Sequence, residues 1–217
     1  MRTVRWLACG LALITLTASS AAAQSGRLFR DSWFWGVNAG VMSFSTQTVS
    51  NQEATVINGE WFITKTHGGL YLSIGEAFFT ASGTVNDNLG NPYNVQVKDM
   101  TQVMADAMVL PVAWGGVHLY AAGGFLLNIA HSAAITDSIL NPNIKTQVQQ
   151  NLNDQKDAIC FNLLVGVHAQ LKRMAIFGNF VWMPTPANFV LSGRSAYFLQ
   201  GGIRFNLSPS DESQMPK

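Results

Sequence analysis

From residue 33 onward apolar side chains recur at every second position, the period of a strand with two unlike faces rather than of a helix. Trp33, Trp35, Val37, Ala39 and Val41 share one face of a first segment, 33–45, and Gly36, Asn38, Gly40 and Met42 share the other. A second segment, 55–64, sets Ile57, Trp61 and Ile63 against Asn58, Glu60 and Phe62. The third follows a tight connection at 65–69 and runs through Phe79, with Leu70, Leu72 and Ile74 opposite Tyr71, Ser73 and Gly75. In the fourth, 95–113, Val103, Ala105, Ala107 and Val109 alternate with Met104, Asp106, Met108 and Leu110, and Pro111 marks its frayed end. The fifth, 117–130, places Leu119, Ala121, Phe125, Leu127 and Ile129 against His118, Tyr120, Gly124 and Asn128. The sixth, 158–171, places Ile159, Phe161, Leu163, Val165 and Val167 against Cys160, Asn162, Gly166, His168 and Gln170. A seventh ends at Trp182, and the eighth, 196–207, has Tyr197, Leu199, Ile203, Phe205 and Leu207 on one face and Gln200, Gly202, Arg204 and Asn206 on the other.

The connections alternate in length: long at 46–54, 81–94, 131–157 and 184–195, short at 65–68, 114–116 and 172–173. A soluble sandwich has no reason to sort loop length by parity. A membrane-spanning barrel does, because one side carries tight turns and the other the larger loops. The expected fold is therefore all-β: an eight-stranded antiparallel up-and-down transmembrane β-barrel with long extracellular loops and short periplasmic turns. Trp33, Trp35, Trp61 and Trp114 fall near the short-turn end and Trp182 near the other, as interfacial girdles would. Within the longest connection Ile144, Val148 and Leu152 recur every four residues after Asn141-Pro142, which predicts a short amphipathic helix across the extracellular mouth.

Residues 1–23 read as an export signal, with Arg2 and Arg5 before an apolar run from Leu7 to Leu16 and an A-x-A site at Ala21 and Ala23. Barrel and polar tail then occupy 24–207 and 208–217. Once the signal is cleaved Cys9 is lost and Cys160 stands alone, which excludes an intramolecular disulfide and a cysteine-rich metal site. The 13 basic and 12 acidic residues become 11 and 12 without Arg2 and Arg5, a balance that gives nucleic acid no purchase. Only 12% of the chain is charged against 48% hydrophobic, sparse beside the usual quarter. Beyond the signal no apolar run reaches the roughly 20 residues a membrane helix needs. Sparse charge without such a run fits strands that meet lipid at every second residue.

The signal, the stretch LPVAWGGVHLYAAGGFLL from Leu110 to Leu127, and the final Gly202-Ile203-Arg204-Phe205-Asn206-Leu207 together resemble the small outer-membrane-protein β-barrel superfamily, the OmpA/OmpX-type and porin-like eight-stranded barrels of Gram-negative bacteria. The resemblance covers the chain beyond the signal almost end to end. It implies an outer-membrane location, contact with outer-membrane lipid and with the barrel-assembly machinery, and an assembly signal on the last strand. The polar 208–217 tail departs from the terminal aromatic on which many such barrels stop. Family members include anchors, adhesion and host-interaction proteins, small pores and a few lipid-modifying enzymes, so fold alone assigns no activity.

The candidate chemistry lies on the inward face. Glu60, Asp106, His118, His168 and Arg204 share the inward parity near the short turns, joined by Gln170 and Asn38, and buried charges must pair. Two carboxylates, one arginine and two histidines satisfying one another make a polar plug, in a barrel just wide enough to be filled by its own side chains. A proton-linked or ion-conducting path is the competing use. No catalytic residue, metal site or cofactor is assigned. His131 and Ser132, with Asp137 and Glu76 nearby, are the candidates for a lipid-A-modifying site, although neighbours on a strand point to opposite faces. Glu76 carries the parity of the lipid-facing Leu72 and Ile74, which calls for a bulge or a rim position. The turn-rich stretch 86–91 lacks calcium-loop spacing, and His67 reads as a surface residue. The expected role is non-enzymatic, structural or surface-interacting, with any extracellular partner met by the 132–156 loop between Ser132 and Lys156. A narrow porin, a lipid-A-modifying enzyme and a soluble lipocalin-like barrel are the alternatives.

Overall fold

The computed structural model describes residues 31–65, 67–110, 113–114, 117–171, 173–186, 188–193 and 195–207. The export signal, Pro111, Gly115, Gly116 and the 208–217 tail lie outside the described residues, as does the side chain of Trp114. Eight long strands follow one another: β1 (Trp33–Phe44), β2 (Gln52–Thr64), β3 (Gly68–Asn86), β4 (Pro92–Val109), β5 (Val117–Ile135), β6 (Asp157–Leu171), β7 (Met174–Met183) and β8 (Ala196–Asn206). Each pairs antiparallel with the next, and β8 pairs with β1, so the sheet closes on itself without an edge. Ala113 and Trp114 add a two-residue ladder against His118 and Val117.

The registers give the stagger of the barrel. Paired residues followed one way from Ala39 run through Ile57, Glu76, Thr101 and Ile129 to Asp157 on β6. Followed the other way they run through Gly201 and Gly178 to Val167, ten residues farther along the same strand. That shear with eight strands tilts each strand by about 35–45° and leaves an interior that side chains fill.

Side chains alternate as the sequence pattern requires. Phe34, Asn38, Glu60, Phe62, Tyr71, Asp106, His168 and Arg204 are buried inside. Trp33, Trp35, Val37, Ile57, Trp61, Phe125, Val165 and Leu199 are exposed outside. The outer band is apolar from Trp33, Trp35, Trp61 and Phe205 at the short-turn end to Phe78, Phe161, Trp182 and Tyr197 at the loop end. It exposes far more aliphatic and aromatic surface than water would tolerate on a monomer.

The structure corrects several boundaries. Strand β2 starts at Gln52 rather than 55, and β4 ends at Val109 rather than 113. The expected 81–94 loop is mostly hairpin: β3 continues to Asn86, β4 resumes at Pro92, and only 87–91 turns. Composition misleads here because Gly83 and Asn86 are turn formers by type, while pairing as far as Asn86 with Pro92 sets the true length. A one-residue register shift lies between Ala77 and Thr80, opposite Asp99. Asp99 has φ 48° and its carboxylate accepts the Phe79 amide at 3.0 Å. This bulge switches the inward parity of β4 from Val95 and Val97 to Met100, Gln102 and Met104.

Asp87 builds the hairpin tip. Its Oδ1 accepts the amides of Leu89 and Asn91, both at 2.9 Å, and its Oδ2 accepts the Asn91 side chain at 2.9 Å. These bonds, the Asn91 side chain foremost, hold the Asp87 carboxyl below the usual carboxylate range. A lowered folded pKa stabilises the turn above the unfolded value and loses that contribution as pH falls through the folded one. Protection of the Leu89 and Asn91 amides, exchange taken relative to the intrinsic rate at each pH, is therefore expected to hold from neutral pH down to about pH 4 and to fall below it. Protection unchanged between about pH 7 and about pH 2 would refute this.

Strand β5 likewise runs on to Ile135, and the expected helix follows as α1 (Pro142–Gln155). Asn141 caps it, its side chain accepting the Asn143 amide at 3.0 Å, and the proline occupies the first turn where no amide is needed. Val148 and Leu152 are its buried face, with Ile144 partly buried beside them.

Candidate functional site

The lumen has three layers. At the loop end, Val148 and Leu152 of α1 join Phe44, Phe79, Val85, Val97 and Phe189 in an apolar stopper. The 184–195 connection folds into it, since the Val190 amide donates to the Gln155 carbonyl at 2.9 Å and Gln47 donates to Ser192 Oγ at 2.9 Å. The middle layer is amide and sulfur. Gln102 donates to Asn128 Oδ1 at 2.9 Å, and Asn128 reaches Cys160 Sγ at 3.4 Å and Met183 Sδ at 3.7 Å.

The layer toward the short turns holds the charges. Arg204 Nε donates to Glu60 Oε1, and both side chains are 0% exposed. The second Glu60 oxygen accepts from Asn38 and from the Tyr71 hydroxyl, each at 2.9 Å, and Asn58 donates to Asn38 at 2.7 Å. The guanidinium is stacked as well as paired, with Cζ 3.7 Å from the Phe177 ring centroid and 4.1 Å from that of Phe62. Arg204 Nη1 lies 3.3 Å from His168 Nδ1. The Tyr120 and Tyr71 rings follow at 5.3 and 5.9 Å, so the charge is held by one carboxylate and four aromatic rings, which offsets the desolvation that a bare pair would suffer.

Of the residues expected to gather here, Glu60, His168 and Arg204 touch directly. His118 stands beside His168 as its register partner, rings 6.1 Å apart, and Gln170 is buried two residues farther along the same inward face. Asp106 is inside too, but the expected mutual pairing of both carboxylates with the cations is not what holds it. Asn162 Nδ2 donates to its two oxygens at 2.9 and 3.0 Å. Gly124, its register partner, leaves the room that any side chain would take from that carboxyl. Parity put Phe62, Tyr71 and Tyr120 inside; what it could not show was that strands far apart in sequence aim their rings at one guanidinium.

A second cluster sits outside. Glu76, Thr101 and His131 come from β3, β4 and β5: Thr101 Oγ1 donates to Glu76 Oε1 at 2.7 Å and lies 2.6 Å from His131 Nε2, which is 3.3 Å from Glu76 Oε2. Ser132 is not part of it. The partner of His131 is Thr101, a residue no linear motif signals, brought close by the β4–β5 register. Asp137 is spent elsewhere, accepting the Asn94 amide at 2.7 Å and its side chain at 3.1 Å.

Neither a protein-family model nor a curated protein matches the chain. Among solved structures, Neisserial surface protein A (NspA) superposes with a TM-score of 0.51 at 11% identity, over 81% of this chain and 97% of that one. The fold is that of the small outer-membrane barrels. The outer membrane protein OprG from Pseudomonas aeruginosa also matches (TM-score 0.46, 9% identity, 84% and 99% covered). So does Ail, the attachment invasion locus protein of Yersinia pestis (0.42, 10%, 80% and 99%). Identities this low carry architecture and no activity. What distinguishes this barrel must be read from its own lumen and outer face.

Proposed function

We propose that the protein is an integral outer-membrane barrel with a sealed lumen, a non-enzymatic component of the cell envelope that meets its partners through its loop end. The observation that carries this is the fully enclosed Glu60–Arg204 pair, stacked between rings in a closed barrel whose outer band is apolar. An arginine locked this way is a strut, since opening a pore through it would break an ion pair and its ring contacts at once. The apolar stopper under α1 blocks the other end by independent means.

The loop end offers a recognition surface distinct from the lumen. Leu140 before α1 is 98% exposed and Leu89 at the hairpin tip is 84% exposed, while Asn151 of α1 donates to the Asn86 carbonyl at 2.8 Å and so ties loop 132–156 to that hairpin. Outer-membrane lipid surrounds the apolar band, and the barrel-assembly machinery is the partner in insertion. A hydrolytic reading of His131 is less well supported, because a nucleophile–base–orienter chain places the acid on the far ring nitrogen. Here Glu76 and Thr101 share the same Nε2.

The test is fractionation of expressing cells, a heat-modifiability gel on the detergent-extracted fraction, and planar-bilayer recording. Outer-membrane recovery, a heat-dependent band shift and no conductance steps are the expected results. Soluble periplasmic recovery would sink the membrane reading, and steps altered by Glu60→Gln would replace the strut with a channel.

A further inference from the structure

The cluster formed by Glu76, Thr101 and His131 is costly where it stands. It shares the outer face with the apolar band: Ile57 pairs with Glu76 on one side, Thr101 pairs with Ile129 on the other, and Ile74 and Phe78 flank Glu76 along β3. All four of those apolar residues are exposed. An ionisable group at such a depth calls for a function by default. Glu76 Oε2 is inaccessible from outside, and Oε1 holds the Thr101 hydroxyl, so the carboxylate is consumed within the cluster. His131 turns Nε2 to Thr101 and Glu76, its side chain 47% exposed, and since the Thr101 hydroxyl is given to Glu76 it is Nε2–H that points into the cluster. That leaves Nδ1 as the nitrogen an outside ligand can reach, a donor in the imidazolium form that pairs with Glu76. One register step beyond, Lys98 is exposed, pairs with Ser132 next to His131, and forms no ion pair among the described residues. Of the neighbouring carboxylates, Asp99 accepts the Phe79 amide and Asp157 the Ala130 amide, each through one oxygen.

We propose that His131 and Lys98, with His131 oriented by Glu76 and Thr101, form a docking site for the phosphate group of an outer-leaflet lipid whose acyl chains lie against Ile57, Ile74, Phe78 and Ile129. Phosphate is the match because Lys98 offers a cation with no ion pair among the described residues and the imidazolium form of His131 offers Nδ1–H beside it, and charge-assisted bonds to phosphate are the strong ones. A lipid rather than free phosphate is the source because the donors border a face that otherwise meets hydrocarbon. The inference rests on the membrane reading above.

The test uses the full chain extracted in mild detergent, with diphosphorylated lipid A, its dephosphorylated form and inorganic phosphate as probes, and native mass spectrometry to count retained lipid. The phosphorylated form should be retained about tenfold better than the dephosphorylated one, and Lys98→Gln or His131→Gln should each cost roughly tenfold in retention, as the loss of one charge-assisted bond does. Thr101→Val, which frees Glu76 and His131 from their common partner, should lower retention without abolishing it. A heat-dependent band shift confirms that each variant is folded. Equal retention of both lipid forms, or retention unchanged in the Lys98 and His131 variants, overturns the site. Displacement of lipid by equimolar inorganic phosphate overturns the lipid as its source, and Thr101-dependent release of fatty acid would make the cluster a reactive centre instead. Periplasmic fractionation would sink the membrane reading itself; loss of phosphate preference in a membrane-inserted chain sinks this inference alone.

Discussion

Replacing Glu60 by alanine is expected to destabilise the folded barrel by about 3–5 kcal/mol, the cost of leaving a buried charge without its partner. The Arg204 guanidinium would keep its ring contacts with Phe62 and Phe177 but lose the carboxylate on Nε. Asn38 and the Tyr71 hydroxyl would lose an acceptor in the same stroke. The denaturant midpoint of the heat-dependent band shift measures this directly. A paired replacement, Glu60→Met with Arg204→Met, should recover most of the loss, because two apolar side chains of comparable length leave no charge stranded. If the single substitution shifts the midpoint by less than 1 kcal/mol, the pair contributes little and the strut reading fails.

The second large effect belongs to the outer wall. Val165 sits at the middle of the outward face of β6, 53% exposed, so on a soluble protein Val165→Arg would be close to neutral. In a bilayer the same change puts a cation near the midplane and costs about 2–4 kcal/mol. A substitution toward the end of the band, such as Leu171→Arg, should cost about 0–1 kcal/mol because its head can reach the interface. Unfolding titrations in lipid vesicles and in detergent compare the two positions. Equal costs at both would mean that no hydrocarbon layer surrounds the barrel.

Much of this architecture is legible in the amino-acid sequence. Period-two alternation fixes which face a residue joins without knowledge of its partners, so Glu60, His168 and Arg204 could be placed inside, and Trp35 and Val165 outside, from sequence alone. The helix over the mouth was legible for a similar reason, as Asn141, Pro142 and the four-residue spacing of Val148 and Leu152 are all local signals. What was hidden is whatever depends on register. Whether Asp106 meets a cation or the Asn162 amide depends on how strands β4 and β6 are offset through β5, and no local pattern carries that offset. The Glu76–Thr101–His131 contacts were hidden in the same way: the sequence made Glu76 look misplaced, and only the pairing of three strands supplies its partners. The long hairpin is hidden from composition because asparagine and glycine read as loop wherever they cluster, whereas Asp87 confines the turn to 87–91.

The pairing of β8 with β1 also orders events in time. Glu60 and Arg204 are 144 residues apart in sequence yet meet across that seam, Gly36 and Arg204 being register partners there as Gly36 and Glu60 are on the other side. A contact of such span waits on closing a loop of most of the chain, and non-local pairings of this kind make folding slow. Until the seam shuts, Glu60 faces an open trough and both terminal strands present bare edges to any neighbouring chain. The ion pair is thus a latch on closure: a chain stalled before the seam shuts leaves its most polar interior residues beside its unpaired strand edges.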